Sequence, residues 1–419
     1  MESVISENKI KIYSSYKYSG EDWIGDIPEH WEISRLGSIL TAVSTKNRTE
    51  LPLLSITREK GVIVRDIEND EDNHNFIPDD LSNYKFLPKG YFGMNKMKAW
   101  QGSYGISAQD GIVSPAYFIF KLRDDLDSRF FHLAIRSKLY VEYFGSASDG
   151  VRIGQWDLSK PRMKNIPFLI PPLHEQTAIA SFLDKKTVLI DQAIEIKQKQ
   201  IELLKERKQI LIQKAVTRGL NPYVRMKDSG VEWIGEIPGH WEVKRFKFLC
   251  YITTGSKNTE DKIENGKFPF YVRSQSPERI NSYTFDGEAI LTAGDGAGVG
   301  KVFHYVNGKF DFHQRVYKFS DFKNVSGKYL FEYLKSNFHN VALNGEAKST
   351  VDSLRLPLIQ NFLVSLPPLE EQKLINIYIS NINNRIDGSI ILIEKEIEKL
   401  KEYKSTLINS AVTGKIKVC

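Results

Sequence analysis

The feature that most constrains this fold is that the chain repeats itself. The phrase WIGDIPEHW at 23–31 returns as WIGEIPGHW at 233–241, an offset of 210 positions. A second block opens with PPLHEQ at 171–176 and returns as PPLEEQ at 367–372, an offset of 196 positions. Self-similarity over so long a period indicates a duplicated structural unit, and 419 residues exceed one ordinary core. We therefore expect two copies of one unit.

The repeats also divide the chain into segments. The second block keeps its offset of 196 to its end, where AVT at 215–217 returns at 411–413, so it has one length in both copies. The stretches between the blocks differ in length and share little sequence, and we call them the first and second body. The predicted segments are an N-terminal segment equivalent to the central linker (1–31), the first body (32–170), spacer helix 1 (171–219), the linker (220–241), the second body (242–366), and spacer helix 2 with the C-terminal tail (367–419).

The two fixed blocks are predicted to be long helices. Each starts with Pro-Pro-Leu followed by acidic residues, which favour a helix N-terminus, and apolar residues then recur on the 4,3 spacing of a coiled-coil seam. The predicted seam is Ile190, Ile194, Ile201, Leu204, Leu211, Ile386, Ile390, Ile393, Ile397, Leu400 and Leu407. Lys197, Lys208 and Lys404 interrupt it and weaken it as a self-sufficient zipper.

Equal length and shared register favour two helices that pair with each other. Because the first helix leads from the first body to the second, the second helix must return along it, which predicts an antiparallel pair and brings 411–413 near the N-terminal segment. Two unrelated surface helices, each packed on its own domain, remain the alternative. The bodies are rich in β-branched and aromatic runs bounded by Gly, Asn and Asp, with short helical patterns near their ends. The predicted fold class is mixed α/β, with two strand-rich domains separated by an antiparallel coiled coil in an approximately two-fold internal repeat.

Polar loops of the bodies concentrate residue types that read nucleic acid. Asn and Gln make paired hydrogen bonds to adenine, Arg and Lys reach guanine or phosphate, and Trp and Tyr stack. The candidates in the first body are Asn95, Lys96, Lys98, Trp100, Gln101, Ser103, Tyr104, Arg152 and Gln155. Those in the second body are Arg273, Ser274, Gln275, Arg279, Lys301, His313, Gln314, Arg315, Lys348, Ser349 and Thr350. The competing interpretation is a solvated loop whose tryptophans close the core.

Several other chemistries lack their sequence signatures. The run AGDGAGVGK at 293–301 breaks the phosphate-loop pattern, because Asp295 stands at its first glycine position and Val302 follows Lys301, so a tight backbone turn is the preferred interpretation. Two cysteines and eight histidines without ligand spacing favour no metal site, and no nucleophile with a base stands out. A net charge of +6 permits a polyanionic partner without requiring one. The absence of a long apolar run or an N-terminal leader predicts a cytoplasmic protein with no membrane contact.

The combination of these features resembles the specificity subunits of type I restriction-modification systems. The resemblance rests on WIGEIPGHW, PPLHEQ and LLKERKQILIQKAVT at the segment borders and covers essentially the whole chain; MNKMKAWQGS and LTAGDGAGVGKVF also resemble segments of such recognition domains. It implies that each body is a target-recognition domain reading one half of an interrupted site in double-stranded DNA. It also implies that the helices set the separation of the half-sites.

The same resemblance implies a division of labour among subunits. Two modification subunits would carry S-adenosylmethionine and methylate adenine at N6, and restriction subunits would use ATP and Mg²⁺ for translocation and cleavage. This chain would then hold no cofactor and no catalytic residue, and would not be an enzyme by itself. Two alternatives stay open at this point. One is a coiled-coil scaffold that binds only proteins, and the other is a self-sufficient methyltransferase, for which no S-adenosylmethionine motif is found.

Overall fold

The structure, a computed structural model, describes residues 11–66, 77–152, 155–339 and 354–418. The chain divides into two compact units. Unit 1 joins the residues up to Ile196 with those from Lys395 onward, and unit 2 is Lys197–Glu394. Each unit therefore contains one body, part of the first long helix and part of the second.

Unit 1 begins with a short hairpin and continues into the first body. Its strands are β1 (Tyr16–Tyr18), β2 (Asp26–Pro28), β3 (Glu32–Arg35), β4 (Leu40–Val43), β5 (Leu54–Thr57), β6 (Gly61–Val64), β7 (Lys85–Leu87), β8 (Phe92–Met94), β9 (Tyr104–Ile106), β10 (Gly111–Val113), β11 (Phe118–Leu122), β12 (Ser148–Arg152), β13 (Gln155–Leu158) and β14 (Pro167–Ile170). Its helices are α1 (Leu36–Ile39), α2 (Ser128–Ile135), α3 (Lys138–Ser146), α4 (Lys160–Asn165) and the start of α5 (Leu173–Arg218), and a 3-10 helix spans Lys96–Gln101.

Unit 2 repeats this plan with longer strands. They are β15 (Met226–Asp228), β16 (Glu236–Pro238), β17 (Glu242–Arg245), β18 (Tyr251–Thr254), β19 (Phe268–Tyr271), β20 (Glu278–Ile280), β21 (Phe285–Ala293), β22 (Phe303–Phe312), β23 (Val316–Ser320) and β24 (Leu363–Leu366). The helices are α6 (Gly327–Asn337), α7 (Leu356–Asn361) and α8 (Leu369–Val412), with 3-10 turns at Phe246–Phe248, Thr259–Asp261 and Gly296–Gly298.

The two bodies share one sheet topology although their sequences differ. The sheet of the first body has the order β4-β11-β8-β9, and the larger sheet of the second body begins β18-β23-β21-β22 before adding β19 and β20. All pairs are antiparallel except β19 with β22. Buried aromatic and aliphatic side chains cover one face of each sheet and pack against α2 and α3, or against α6. The internal repeat thus extends into the bodies at the level of strand order.

Each body closes where its chain enters and leaves. The first strand of the first body, β3, pairs antiparallel with its last strand, β14, and β17 pairs with β24 in the same way in the second body. Because the tryptophan phrase directly precedes the first strand and the Pro-Pro-Leu phrase directly follows the last, this pairing brings the two repeated motifs together. The motifs that border each body are therefore parts of one structural joint.

A glutamate at the start of each long helix holds the joint in unit 1 and in unit 2. The Glu175 carboxylate accepts hydrogen bonds from the Tyr13 hydroxyl at 2.8 Å, from Trp31 Nε1 at 3.0 Å and from His30 Nε2 at 2.6 Å. Burial opposes ionisation of Glu175, but these three donors outweigh it and hold the pKa of the carboxyl below its ordinary value. In unit 2, Glu371 accepts from Trp241 Nε1 at 3.0 Å and from His240 at 2.8 Å. The His-Trp pair of WIGxIPxHW and the glutamate of PPLxEQ are therefore direct partners.

The glutamine that follows each glutamate fixes the turn between body and helix. The Gln176 amide donates to the backbone oxygens of Pro171 and Asp125, and its oxygen accepts from Asp127 N at 2.8 Å. Gln372 makes the same three kinds of contact with Pro367, Asn324 and Ser326. Both glutamines are buried, and their backbone partners would otherwise be unsatisfied. This explains why Glu-Gln occurs in both copies.

The long helices run antiparallel and pair along the predicted seam. In unit 1, Lys404 Nζ lies 2.6 Å from the Asp191 carboxylate, and in unit 2 Lys208 Nζ lies 2.8 Å from Asp387. Residue numbers therefore rise along one helix as they fall along the other. All the predicted seam residues are buried or half-buried, and Ile190, Ile390, Ile397 and Leu407 are the most buried. Lys197, Lys208 and Lys404 are half-buried on the same seam.

The end of α8 packs against the N-terminal segment within unit 1, as the antiparallel connectivity predicts. Lys417 N donates to Lys11 O at 2.7 Å, and the Tyr16 hydroxyl donates to Gly414 O at 3.2 Å. Gly414 ends the helix with a φ of 72°, and a Cβ there would come within 2.3 Å of Pro28. Only glycine allows this turn and this approach together. The expected contact between 411–413 and the N-terminal segment is confirmed.

Candidate nucleic-acid interface

The polar stretch predicted at 95–104 forms the turn that follows β8. The Asn95 carboxamide oxygen accepts from Met97 N at 3.2 Å and caps the 3-10 helix Lys96–Gln101. Lys98 is exposed, and Lys96, Trp100 and Gln101 are half-buried. These four side chains lie at the end of the sheet of the first body.

Four of the predicted candidates, three in the first body and one in the second, have buried side chains. The side chains of Ser103 and Tyr104 are inside the first body, at 2% and 0% exposure. Asn95 is 8% exposed, and its amide nitrogen donates to the Tyr117 hydroxyl at 3.3 Å. In the second body His313 is 5% exposed and accepts from Arg315 N. These four side chains therefore present little or no surface to a ligand in this structure, and their contact with DNA stays a prediction.

A second predicted segment of the first body packs onto the same turn. Strands β12 and β13 pair antiparallel, and Arg152 and Gln155 lie opposite each other in them. The rings of Trp100 and Trp156 lie 5.0 Å apart, and Lys96 Nζ lies 2.9 Å from Asp157. The fold therefore brings the two predicted loops of the first body together.

A cluster of lysines lies around Lys85, and only Lys96 among them was a predicted candidate. Lys85 Nζ donates to Tyr117 O at 2.7 Å, and its pKa is lowered by burial and by the nearby charges of Lys46, Lys160 and Lys96. Lys46 and Lys160 are exposed. Because Lys46, Lys85 and Lys160 come from separate segments, no local run of charge in the sequence links them to Lys96. Positive charges held together by the fold form an electrostatic footprint suited to a phosphate backbone.

The second body brings two predicted arginines together at its corresponding turn. Arg273 Nη1 lies 2.9 Å from the Asp295 carboxylate, and Arg315 Nη1 donates to its other oxygen. The Asp295 side chain is 12% exposed, against 44% for Arg273 and 59% for Arg315. Burial opposes ionisation of Asp295, but the hydrogen bonds from the two arginines outweigh it and keep the pKa of the carboxyl below its ordinary value. The two guanidinium groups thus stand at the surface over a buried anion.

The remaining candidates of the second body differ in exposure and position. Ser274, Gln275, Lys301 and Gln314 are exposed, and the Gln314 amide donates to Asn258. Arg279 lies apart in β20, where its guanidinium donates to the backbone oxygens of Gly266 and Lys267. Lys348, Ser349 and Thr350 lie outside the described residues. DNA contact by the exposed candidates stays a prediction.

The candidate surfaces occupy equivalent places in the two bodies. In the first body the turn follows β8 and lies beside the segment before β11; in the second it follows β21 and lies beside the segment before β23. The strand register aligns Met94, paired with Phe118, with Ala293, paired with Val316. One end of the same sheet therefore carries cationic side chains in both bodies.

Within the described ranges, no three His, Cys, Asp or Glu side chains are grouped as a metal site would require. No helix in the described part of the chain has the length and apolar character needed to cross a membrane.

Comparison with known proteins identifies the family. The model of the type I restriction modification DNA specificity domain matches residues 28–206 and 238–402, once for each copy of the repeat. The chain belongs to this specificity-domain family. The specificity subunit of type I restriction enzyme MjaVIII from Methanocaldococcus jannaschii is 27% identical over 428 aligned residues, covering 94% of each chain. The EcoDI specificity subunit from Escherichia coli is 26% identical over 182 residues, covering 43% of this chain and 40% of the relative.

Solved structures share the fold of this specificity-domain protein. A chain from a study of complex assembly and conformational transition of the type I R-M system aligns with a TM-score of 0.69 at 15% identity, over 92% of this chain and 98% of the other. The HsdS subunit from Thermoanaerobacter tengcongensis aligns with a TM-score of 0.55 at 14% identity, over 93% and 98%. At these identities the likeness shows the fold alone, that of α/β bodies joined to long helices.

Proposed function

We propose that this chain is the DNA-specificity subunit of a type I restriction-modification complex and reads a bipartite, interrupted site, one half-site per body. The observation that carries the proposal is the repeated placement of cationic side chains at one end of the same sheet in both bodies. In the first body these are the lysines around Lys85, and in the second they are Arg273 and Arg315. Contacts to phosphate would hold each body on the duplex, and side chains at base edges would give sequence specificity.

The partner subunits are part of the same proposal. Two modification subunits would dock on this chain and supply S-adenosylmethionine for N6 methylation of adenine, and restriction subunits would supply ATP- and Mg²⁺-dependent translocation and cleavage. The chain by itself would select the site and would neither methylate nor cut DNA. Full-length similarity to specificity subunits supports this division of labour.

The direct test is the pattern of methylated adenines in genomic DNA. Sequencing of cells with the gene present and deleted should show one bipartite methylated motif that disappears with the gene. The purified single chain should transfer no methyl group to DNA without its partners. Methylation that is unchanged by the deletion, or methyl transfer by the single chain, would contradict the proposal.

Salt dependence provides the biophysical test. Binding of the assembled complex to its site should weaken steeply as salt rises, because several phosphate contacts release counterions. Binding to a duplex with one half-site scrambled should retain the salt slope and lose affinity. A complex whose affinity for DNA does not respond to salt would favour a protein-binding scaffold instead.

A further inference from the structure

The glycine-rich turn at 293–301 of the second body holds an aspartate in a defined position. It places Asp295 between two arginines from different loops, since Arg273 follows β19 and Arg315 lies between β22 and β23. Gly294 N donates to Arg315 O at 2.8 Å, and a Cβ at Gly294 would meet that oxygen at 2.9 Å. A Cβ at Gly298 would meet Arg273 O at 2.6 Å. The absent side chains allow the turn to lie against both arginine backbones, which puts the Asp295 carboxylate within reach of both guanidinium groups.

The stereochemistry leaves one edge of each arginine available. Both ion pairs use Nη1, of Arg273 and of Arg315, and within the described ranges neither guanidinium donates a hydrogen bond from Nε or Nη2. A guanidinium presents its donors in a planar fork, and the Nε and Nη2 pair matches two acceptors on one edge. The O6 and N7 atoms of guanine in the major groove are such a pair, and arginine is their commonest bidentate partner.

The charge distribution at this site favours contact with bases over contact with phosphates. A carboxylate beneath two arginines lowers the local positive potential, which disfavours attraction of a phosphate backbone. The same carboxylate fixes the plane of each fork, which favours a directional contact with a base edge. The arrangement is therefore costly for general affinity for DNA and useful for discrimination between bases.

We infer that Arg273 and Arg315 read guanines in the half-site of the second body, and that Asp295 is the residue that positions both. This rests on the proposed function, since it requires that the second body contacts DNA. It assigns to the AGDGAGVGK run a role in specificity through Asp295, held in place by Gly294 and Gly298. The ligand is the major-groove edge of G·C base pairs.

The experiment uses the full chain in complex with its modification subunits and reads the methylated motif from genomic DNA. Arg273→Lys and Arg315→Lys keep the charge and remove the fork. In each variant one position of one half-site should lose its preference for a G·C pair by about tenfold to a hundredfold, the range for loss of a bidentate contact. The other half-site should be unchanged. Arg245→Lys, at an exposed arginine of β17 in the same body, is the matched control and should leave the motif intact.

The Asp295→Asn variant tests whether Asp295 positions the two arginines or only stabilises the fold. It removes the negative charge and keeps the side-chain size, so specificity at both arginine positions should relax while affinity for nonspecific DNA at low salt rises. A variant that only lost stability would lose both specificity and affinity for DNA. The thermal unfolding midpoint of each variant complex measures that loss of stability. The inference is overturned if the affected half-site contains no G·C pair. It is also overturned if the lysine variants weaken methylation equally at all sequences with an unchanged motif, which is the behaviour of phosphate contacts.

The outcomes also distinguish this inference from the proposed function. A wild-type chain that directs no methylation would remove both. A wild-type chain that directs a bipartite motif, with arginine variants that leave every base preference intact, would remove only the guanine assignment.

Discussion

At the residue scale, the joint between body and helix depends on one buried carboxylate in each unit. Glu175 accepts three hydrogen bonds, and its partner Trp31 is fully buried. A charge with several donors contributes stability only while it stays ionised, and a neutral amide of the same shape cannot accept all three bonds equally well. The repeated His-Trp and Glu-Gln pairs are therefore best understood as a stabilising contact rather than as readers of DNA.

Glu175→Gln should lower the free energy of unfolding by about 1–3 kcal/mol at neutral pH, the cost of weakening hydrogen bonds to a buried charge. It should also change the acid response. The folded pKa of Glu175 lies below its ordinary value of 4.5, so the unfolded state binds the proton first. Its stabilisation is therefore complete above about pH 4.5 and is lost as pH falls through the folded pKa. Denaturant titrations of the full chain between pH 3 and 7 measure both effects.

The matched control for that change is Glu142→Gln, at a glutamate of α3 whose side chain is 64% exposed. It should leave both the stability and the acid response close to those of the wild type. Equal curves for the two variants would show that the hydrogen bonds of Glu175 contribute nothing.

His132 of α2 gives unit 1 a second pH response. Its Nδ1 accepts from Ile106 N at 3.1 Å, and burial, with a smaller effect from Arg136, lowers its pKa from 6.5 to about 4. The unfolded state therefore binds a proton between pH 6.5 and 4 that the folded state excludes. Stability should fall across this window as pH falls, by up to about 3 kcal/mol for a shift of this size. Thermal unfolding of the full chain at several pH values measures how steeply stability depends on pH.

His132→Gln supplies the comparison for this slope. Glutamine retains an acceptor for Ile106 N and does not titrate, so the decrease in stability between pH 6.5 and 4 should become shallower. An unchanged slope would mean that other groups account for the acid sensitivity.

At the element scale, local patterns in the sequence predicted the helices well and the sheets poorly. The seam residues of each long helix, from Ile190 to Leu211 and from Ile386 to Leu407, follow a seven-residue repeat. A short window of sequence therefore contains the signal for the helix. The order β4-β11-β8-β9 depends on pairing between distant segments, and no local pattern specifies it. The same difference explains the candidate surface. Exposed Lys98 was found in a polar loop, whereas Lys46 and Lys160 join the cluster only through the fold.

Burial was the other quantity that the sequence did not reveal. Tyr104 and Ser103 follow Lys98 and Gln101 in the same polar run, yet the chain enters β9 at Tyr104 and carries both side chains inside. The triad of Arg273, Asp295 and Arg315 shows the opposite case. Its arginines were candidates, but the aspartate that joins them was seen only as a departure from the phosphate-loop pattern.

The lysines on the seam should fix helix register through their aspartate partners. Asp191→Lys would place two cations together in unit 1 and should destabilise the helix pair, whereas Asp191→Lys combined with Lys404→Asp should recover most of the loss. Exposed ion pairs of this kind couple by about 0.2–1 kcal/mol. A double-mutant cycle by thermal unfolding measures the coupling, and the Asp387 and Lys208 pair of unit 2 is an internal replicate. Additive effects of the two single changes would exclude a direct interaction.

At the scale of the whole molecule, duplication explains why one chain would suit an interrupted DNA site. Both units carry the same joint, the same seam pair and the same strand order, while the sequences at the ends of their sheets differ. Under the proposed function, a repeated framework with two different surfaces would allow each half-site to change without altering how the chain folds. Under the proposed function, the bodies determine which bases are read, and the helices determine how far apart the half-sites lie.

The role of the helices in spacing is tested by changing their length. Removal of one heptad from α5 together with one from α8 shortens the pair by about 10 Å, at about 1.5 Å per residue, and keeps the seam in phase. Since base pairs are stacked about 3.4 Å apart, the spacer of the methylated motif should shrink by about three base pairs while both half-sites stay the same. Removal of a heptad from one helix alone should instead leave the helices mismatched and reduce methylation. A matched deletion that methylates the original motif with its original spacer would show that something other than helix length sets the distance between the half-sites.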